Sequence, residues 1–99
     1  MAKLNVIWSN RAKIKRFEIL SFYNSRNKSN KFSKNLNHKI NREIKLLSKY
    51  PNIGIKTDIE NVRGLIIDNI VLYYEITQNT IMVLFLWDSR QNPMDLKIK

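Results

Sequence analysis

Two arginines stand where a guanidinium can meet a phosphate. Arg63 lies mid-strand in Val62-Arg63-Gly64-Leu65, and Arg90 follows the apolar run from Ile81 to Trp87. The planar guanidinium fork binds phosphate through two parallel hydrogen bonds. The alternative for either residue is a rim salt bridge, for example to Asp88 or Glu75, and residue type alone leaves both readings open. General acid–base chemistry needs a histidine, a tuned carboxylate, a tyrosine or a lysine. The single histidine, His38, falls among lysines and arginines and reads as a solvated surface residue. Asp58 and Glu60 read as solvated acids beside a turn, because a catalytic carboxylate pair needs burial to separate its pKa values. Two glycines, Gly54 and Gly64, cannot build a glycine-rich phosphate loop. One histidine and no cysteine exclude the usual protein zinc site, and no motif calls for a cofactor. Trp8 and Trp87 each end an apolar strand and read as core aromatics rather than base-stacking platforms.

Whatever these residues do, a small chain must position them. Its 99 residues allow one domain, and 43 % hydrophobic residues suffice for a packed core. No apolar run approaches the roughly 18–20 residues of a membrane span, and Met1-Ala2-Lys3-Leu4-Asn5 does not resemble a signal peptide. The expectation is a soluble cytoplasmic domain without disulfides and without membrane contact. The formal charge is +10, and it is unevenly placed. Residues 1–50 carry 13 Lys/Arg against 2 acids, whereas residues 51–99 carry 5 against 6. Such one-sidedness favours an acidic protein or a nucleic acid as partner. A Lys-, Asn- and Ile-rich composition is also what an AT-rich genome yields, so part of the charge is compositional.

The periodicities supply the scaffold. Leu4 to Trp8 reads as a first strand, with Ser9 or Asn10 capping a helix from about Arg11 to Asn24. Ala12, Ile19, Leu20 and Tyr23 share a face of that helix, and Arg16 intrudes on it. After a polar break and a second cap at Ser29, Phe32, Leu36, Ile40, Ile44, Leu47 and Tyr50 wind into one stripe. Lys31, Lys34, His38, Arg42, Lys45 and Lys49 fall on the opposite side, and Pro51 ends the helix. Gly54 to Ile59 is expected as a short or irregular strand and Val62 to Ile67 as a regular one. Asp68-Asn69 is expected as a tight turn. Ile70, Leu72, Tyr74 and Ile76 face one side of the next strand, and Ile81 to Trp87 is apolar throughout, as in a central strand. The order β-α-α-β-β-β predicts an α+β domain over residues 1–99, with a helical hairpin packed on an antiparallel sheet.

That order and several strings resemble the RelE/ParE superfamily of bacterial toxin–antitoxin modules. The strings are Val6-Ile7-Trp8-Ser9 with Ala12 and Tyr23, Leu47-Ser48-Lys49-Tyr50-Pro51-Asn52-Ile53-Gly54, Asn61-Val62-Arg63, Val71-Leu72-Tyr73-Tyr74-Glu75-Ile76, and Trp87-Asp88-Ser89-Arg90-Gln91-Asn92-Pro93. The resemblance covers about residues 4–96. It implies a growth-inhibiting toxin neutralised by a cognate acidic antitoxin that wraps the hairpin and the sheet. Lys31, Lys34, Arg42, Lys45 and Lys49 become candidate antitoxin- or nucleic-acid-facing residues. RelE-like relatives cleave mRNA on the ribosome without a metal, and by that resemblance Arg90, Arg63 and Lys56 would be the catalytic cations. Here Val71 stands where RelE has another arginine, and neither Tyr nor His follows Arg90. ParE-like relatives inhibit DNA gyrase and need no catalytic set, which slightly favours that mode. The remaining alternative is a nucleic-acid-binding domain without toxicity.

Overall fold

A computed structural model describes residues 3–27 and 30–89. The elements run β1 (Asn5–Trp8), α1 (Asn10–Asn27), α2 (Lys31–Lys49), β2 (Ile55–Lys56), β3 (Val62–Ile67), β4 (Ile70–Ile76) and β5 (Thr80–Asp88). The expected α+β arrangement is present, with two helices on one face of a five-stranded sheet ordered β1-β5-β4-β3-β2. It departs from expectation at one edge. β1 runs parallel to β5, with Asn5 opposite Thr80 and Trp8 opposite Val83, so the sheet is mixed rather than antiparallel. The reason is connectivity. The α1–α2 hairpin returns the chain to the side from which it left, and β2, β3 and β4 then fill the far edge as a meander before β5 enters beside β1.

Ser9 caps α1: the Ala12 N–H donates to Ser9 Oγ over 3.0 Å, and that hydroxyl donates to the Leu84 carbonyl over 2.9 Å. One side chain therefore starts the helix and ties it to β5. Ser9→Ala is expected to cost about 1–2 kcal/mol by loss of the cap. Urea unfolding with an unchanged m-value is the check, and a loss below a few tenths of that would reject the role. α2 begins after Asn30 rather than Ser29, and Asn30 makes no side-chain cap bond. The hydroxyl of Ser33 instead lies near the Asn30 carbonyl and Asn24 Oδ1, close to where the helices meet.

The core is where the stripes converge. Ala12, Ile19 and Tyr23 of α1 and Leu36, Ile40 and Leu47 of α2 pack on Leu65, Ile67, Ile70, Leu72, Tyr74, Ile81, Val83 and Leu86. Phe32 and Tyr50, at the ends of the α2 stripe, remain exposed. A bulge shifts the β4–β5 register between Tyr73 and Tyr74, which pair with Phe85 and Val83 and leave Leu84 as the extra residue. The two-residue turn between β3 and β4 places Asp68 at φ 54°, a conformation Asp tolerates. Asp68 also receives Lys39 Nζ of α2 at 2.9 Å.

Arg16, which disturbs the apolar face of α1 in the sequence, bridges the hairpin. Its Nε donates to Asn37 Oδ1 over 3.0 Å and its Nη2 to Asn41 Oδ1 over 2.7 Å, both acceptors lying on α2. The guanidinium carbon stands 4.8 Å from the centre of a Trp8 ring. Burial lowers the Arg16 pKa from its ordinary value, yet a guanidinium stays charged. At the far end of α2, the Leu4 N–H donates to the Ser48 carbonyl over 3.1 Å, and Ser48 Oγ donates to the Leu4 carbonyl over 2.6 Å.

Candidate functional site

The cations singled out in the sequence separate into two groups. Lys56 of β2 and Arg63 of β3 are paired directly across the strands and line one cleft of about 350 Å³ with Asn52, Thr57, Glu60 and Asn61. Lys31, Lys34, Arg42, Lys45 and Lys49 are exposed along α2. Arg90 lies outside the described residues.

One arm of the Arg63 fork is engaged by backbone. Its Nη1 donates to the Gly54 carbonyl over 2.8 Å and to the Asn52 carbonyl over 3.2 Å. Through Nη1 the guanidinium closes the loop that follows α2. Tyr74, opposite Arg63 on β4, completes the closure. Its hydroxyl donates to the Pro51 carbonyl over 2.7 Å and accepts the Gly54 N–H over 2.9 Å. Burial raises the Tyr74 pKa, opposed by the Gly54 hydrogen bond and by the charge of Arg63. A phenol held neutral and committed to two backbone partners is a poor proton shuttle. Glu60 adds a negative charge to the cleft and weakens its pull on a phosphate.

His38 is exposed on α2, a different element from the cleft. No cluster of three or more His, Cys, Asp or Glu suited to a metal occurs among the described residues. Nor is any described helix long and apolar enough to cross a membrane. The cleft therefore pairs two cations, and of the residue types that move protons its described lining holds Lys56 and Glu60 but no histidine or tyrosine.

A second surface escaped the sequence reading. Ile14, Phe17 and Phe22 of α1 are exposed, Phe17 to 71 %. Arg11, Lys15 and Glu18 line a shallow pocket with Ile14 and Phe85, Arg11 Cζ standing 3.9 Å and Lys15 Nζ 5.9 Å from the Phe85 ring centre, and Arg26 Cζ lies 6.0 Å from that of Phe22. The available signal was angular. At 100° per residue, Ile14 and Phe17 point away from the arc of Ala12, Ile19 and Tyr23, so α1 is apolar on two sides.

Residues 6–93 match the family model described as the ParE toxin of the type II toxin–antitoxin system parDE. Among solved structures, the chain is similar to one titled "Chromosomal ParDE TA system from P. aeruginosa". That likeness has a TM-score of 0.72 at 15 % identity and covers 85 % of this chain and 94 % of the other. No curated protein matches in sequence.

Proposed function

Because the chain belongs to the ParE toxin family of type II toxin–antitoxin systems, we propose that it arrests growth by binding and inhibiting DNA gyrase, not by cutting RNA. The observation that carries the reading is the make-up of the cleft between β2 and β3. Arg63 Nη1 is held by the Gly54 and Asn52 carbonyls and the Tyr74 hydroxyl by Pro51 and Gly54, and the described lining of the cleft supplies no histidine or tyrosine in place of the missing acid–base partner. A ribonuclease needs a base for the 2′-OH and an acid for the leaving group, whereas an inhibitor that works by binding needs neither.

Its family partner is a cognate antitoxin. We place the antitoxin's docking on α1, where exposed Ile14, Phe17 and Phe22 lie beside Arg11, Lys15 and Arg26. An acidic amphipathic segment matches that surface, with apolar anchors for affinity and charge for encounter rate.

The test is induction in a bacterial host, followed by supercoiling assays with purified toxin and gyrase and by primer-extension mapping of mRNA. Expected are growth arrest, loss of supercoiling and no codon-phased cuts. Cuts that vanish in Arg90→Ala, with supercoiling intact, would reject the proposal. Lys56→Ala is expected to leave arrest essentially unchanged. A loss on the order of 10²-fold would instead assign Lys56 to transition-state stabilisation.

A further inference from the structure

We propose that the outward face of α2 is a duplex-DNA-binding surface that grips the phosphate backbone without reading sequence. At 100° per residue, Lys31, Lys34, His38, Arg42, Lys45 and Lys49 fall within an arc of about 80°. That arc is centred opposite the buried residues Leu36, Ile40 and Leu47. All six side chains are exposed. No acid enters the arc, and Glu43, the helix's single acid, projects off it. From Lys31 to Lys49 the row extends about 27 Å, the length of about eight base pairs of duplex.

The composition of the arc selects its ligand. A protein interface concentrates its energy in buried aromatic and aliphatic anchors, and the arc has none. Single-stranded nucleic acid is held by bases stacked on aromatic rings, and Phe32 and Tyr50 both lie outside the arc. What remains is a row of five cations one or two turns apart, with His38 in the longer gap, which suits a line of phosphates. The two helices thus divide the work: α1 offers exposed apolar residues with cations nearby, whereas the arc on α2 offers cations and His38 with no apolar residue. A toxin that binds DNA as well as gyrase would meet its target where the enzyme holds its substrate.

Bare DNA and the free full-length chain suffice for the test, independently of gyrase. Fluorescence anisotropy with a short duplex is measured between 50 and 200 mM salt. With about four phosphates neutralised, log K should fall with log salt at a slope of about −4, a loss on the order of 10²-fold across that range. Replacing three arc cations together, Arg42→Gln, Lys45→Gln and Lys49→Gln, should flatten the slope by about 2–3. The same number of charges removed elsewhere, Lys3→Gln, Lys13→Gln and Lys56→Gln, should leave the slope unchanged. All six positions are exposed, so matched melting temperatures are expected and confirm that folding is intact. Equal flattening by both triples would mean attraction by net charge alone and would overturn the proposal. So would absence of binding at 50 mM salt or tighter binding of single-stranded than duplex DNA. Loss of antitoxin neutralisation in the arc triple with unchanged DNA binding would assign the arc to the antitoxin and reject the proposal equally.

Discussion

Tyr74→Ala should destabilise the chain by about 3–5 kcal/mol, the range for emptying a fully buried aromatic site. In a domain of this size that lowers the melting temperature by tens of degrees, at about 4–8 °C per kcal/mol. The conservative change separates ring from hydroxyl. Tyr74→Phe keeps the packing but leaves the Gly54 N–H without its acceptor in a buried position, at a cost of about 1–3 kcal/mol. A Phe variant as stable as wild type would show that the hydroxyl is not the clasp described. Tyr74 also carries a pH signature. Its pKa is raised from 10.0, so the folded state holds the phenolic proton more tightly than the unfolded state does. The resulting stabilisation is complete below pH 10 and is lost as pH rises from there through the higher folded-state value. Tyr74→Phe should remove that part of the alkaline decline, read by thermal melts between pH 8 and 11.

Gly54→Ala inverts an ordinary rule. Where the backbone is not left-handed, Gly to Ala commonly stabilises by about 0.4–1 kcal/mol by restricting the unfolded chain. Gly54 has no positive φ, so backbone strain is not the obstacle. Space is: an added Cβ would stand 2.6 Å from Tyr74 Oη, 2.8 Å from Tyr74 Cε1 and 3.0 Å from the Gly64 carbonyl oxygen. Two of those atoms belong to a buried ring pinned by its hydroxyl, and the third is backbone. The expected result is a loss of about 1–3 kcal/mol, the usual range for overpacking. A gain on denaturant titration would mean that the ring moves aside at no cost. The effects of Gly54→Ala and Tyr74→Phe should not add, because the two residues are in direct contact.

The sequence spoke clearly wherever one periodic face met one core. Leu36, Ile40 and Leu47 recur at helical spacing and are all buried, and Ile70, Leu72 and Tyr74 alternate as a half-buried strand must. α1 was harder to read because Arg16 occupies its core-facing side, and its partners, Asn37 and Asn41, come from another helix. No local pattern encodes that. The parallel pairing of β1 was illegible for a similar reason. Strand direction is set by where the helical hairpin returns the chain, not by alternation within Asn5–Trp8. At the site, the family resemblance named Lys56 and Arg63, which pair across β2 and β3, but residue type alone does not show that Arg63 meets two backbone carbonyls. A guanidinium serves a phosphate or two backbone carbonyls equally well, and its choice here depends on the Asn52–Gly54 loop lying within reach. Arg90 lies beyond the described residues, so its expected role stays with the test that removes it.

The parallel edge also sets a clock on the molecule. β1 is made before the other strands of its sheet, yet its ladder partners are Thr80 to Val83, and Asn5 and Thr80 stand 75 positions apart. The hydroxyl that caps α1 likewise donates to Leu84. Contacts this distant in sequence close last, since the loop entropy must be met before they form. A growing chain on the ribosome therefore lacks the completed sheet until β5 has emerged.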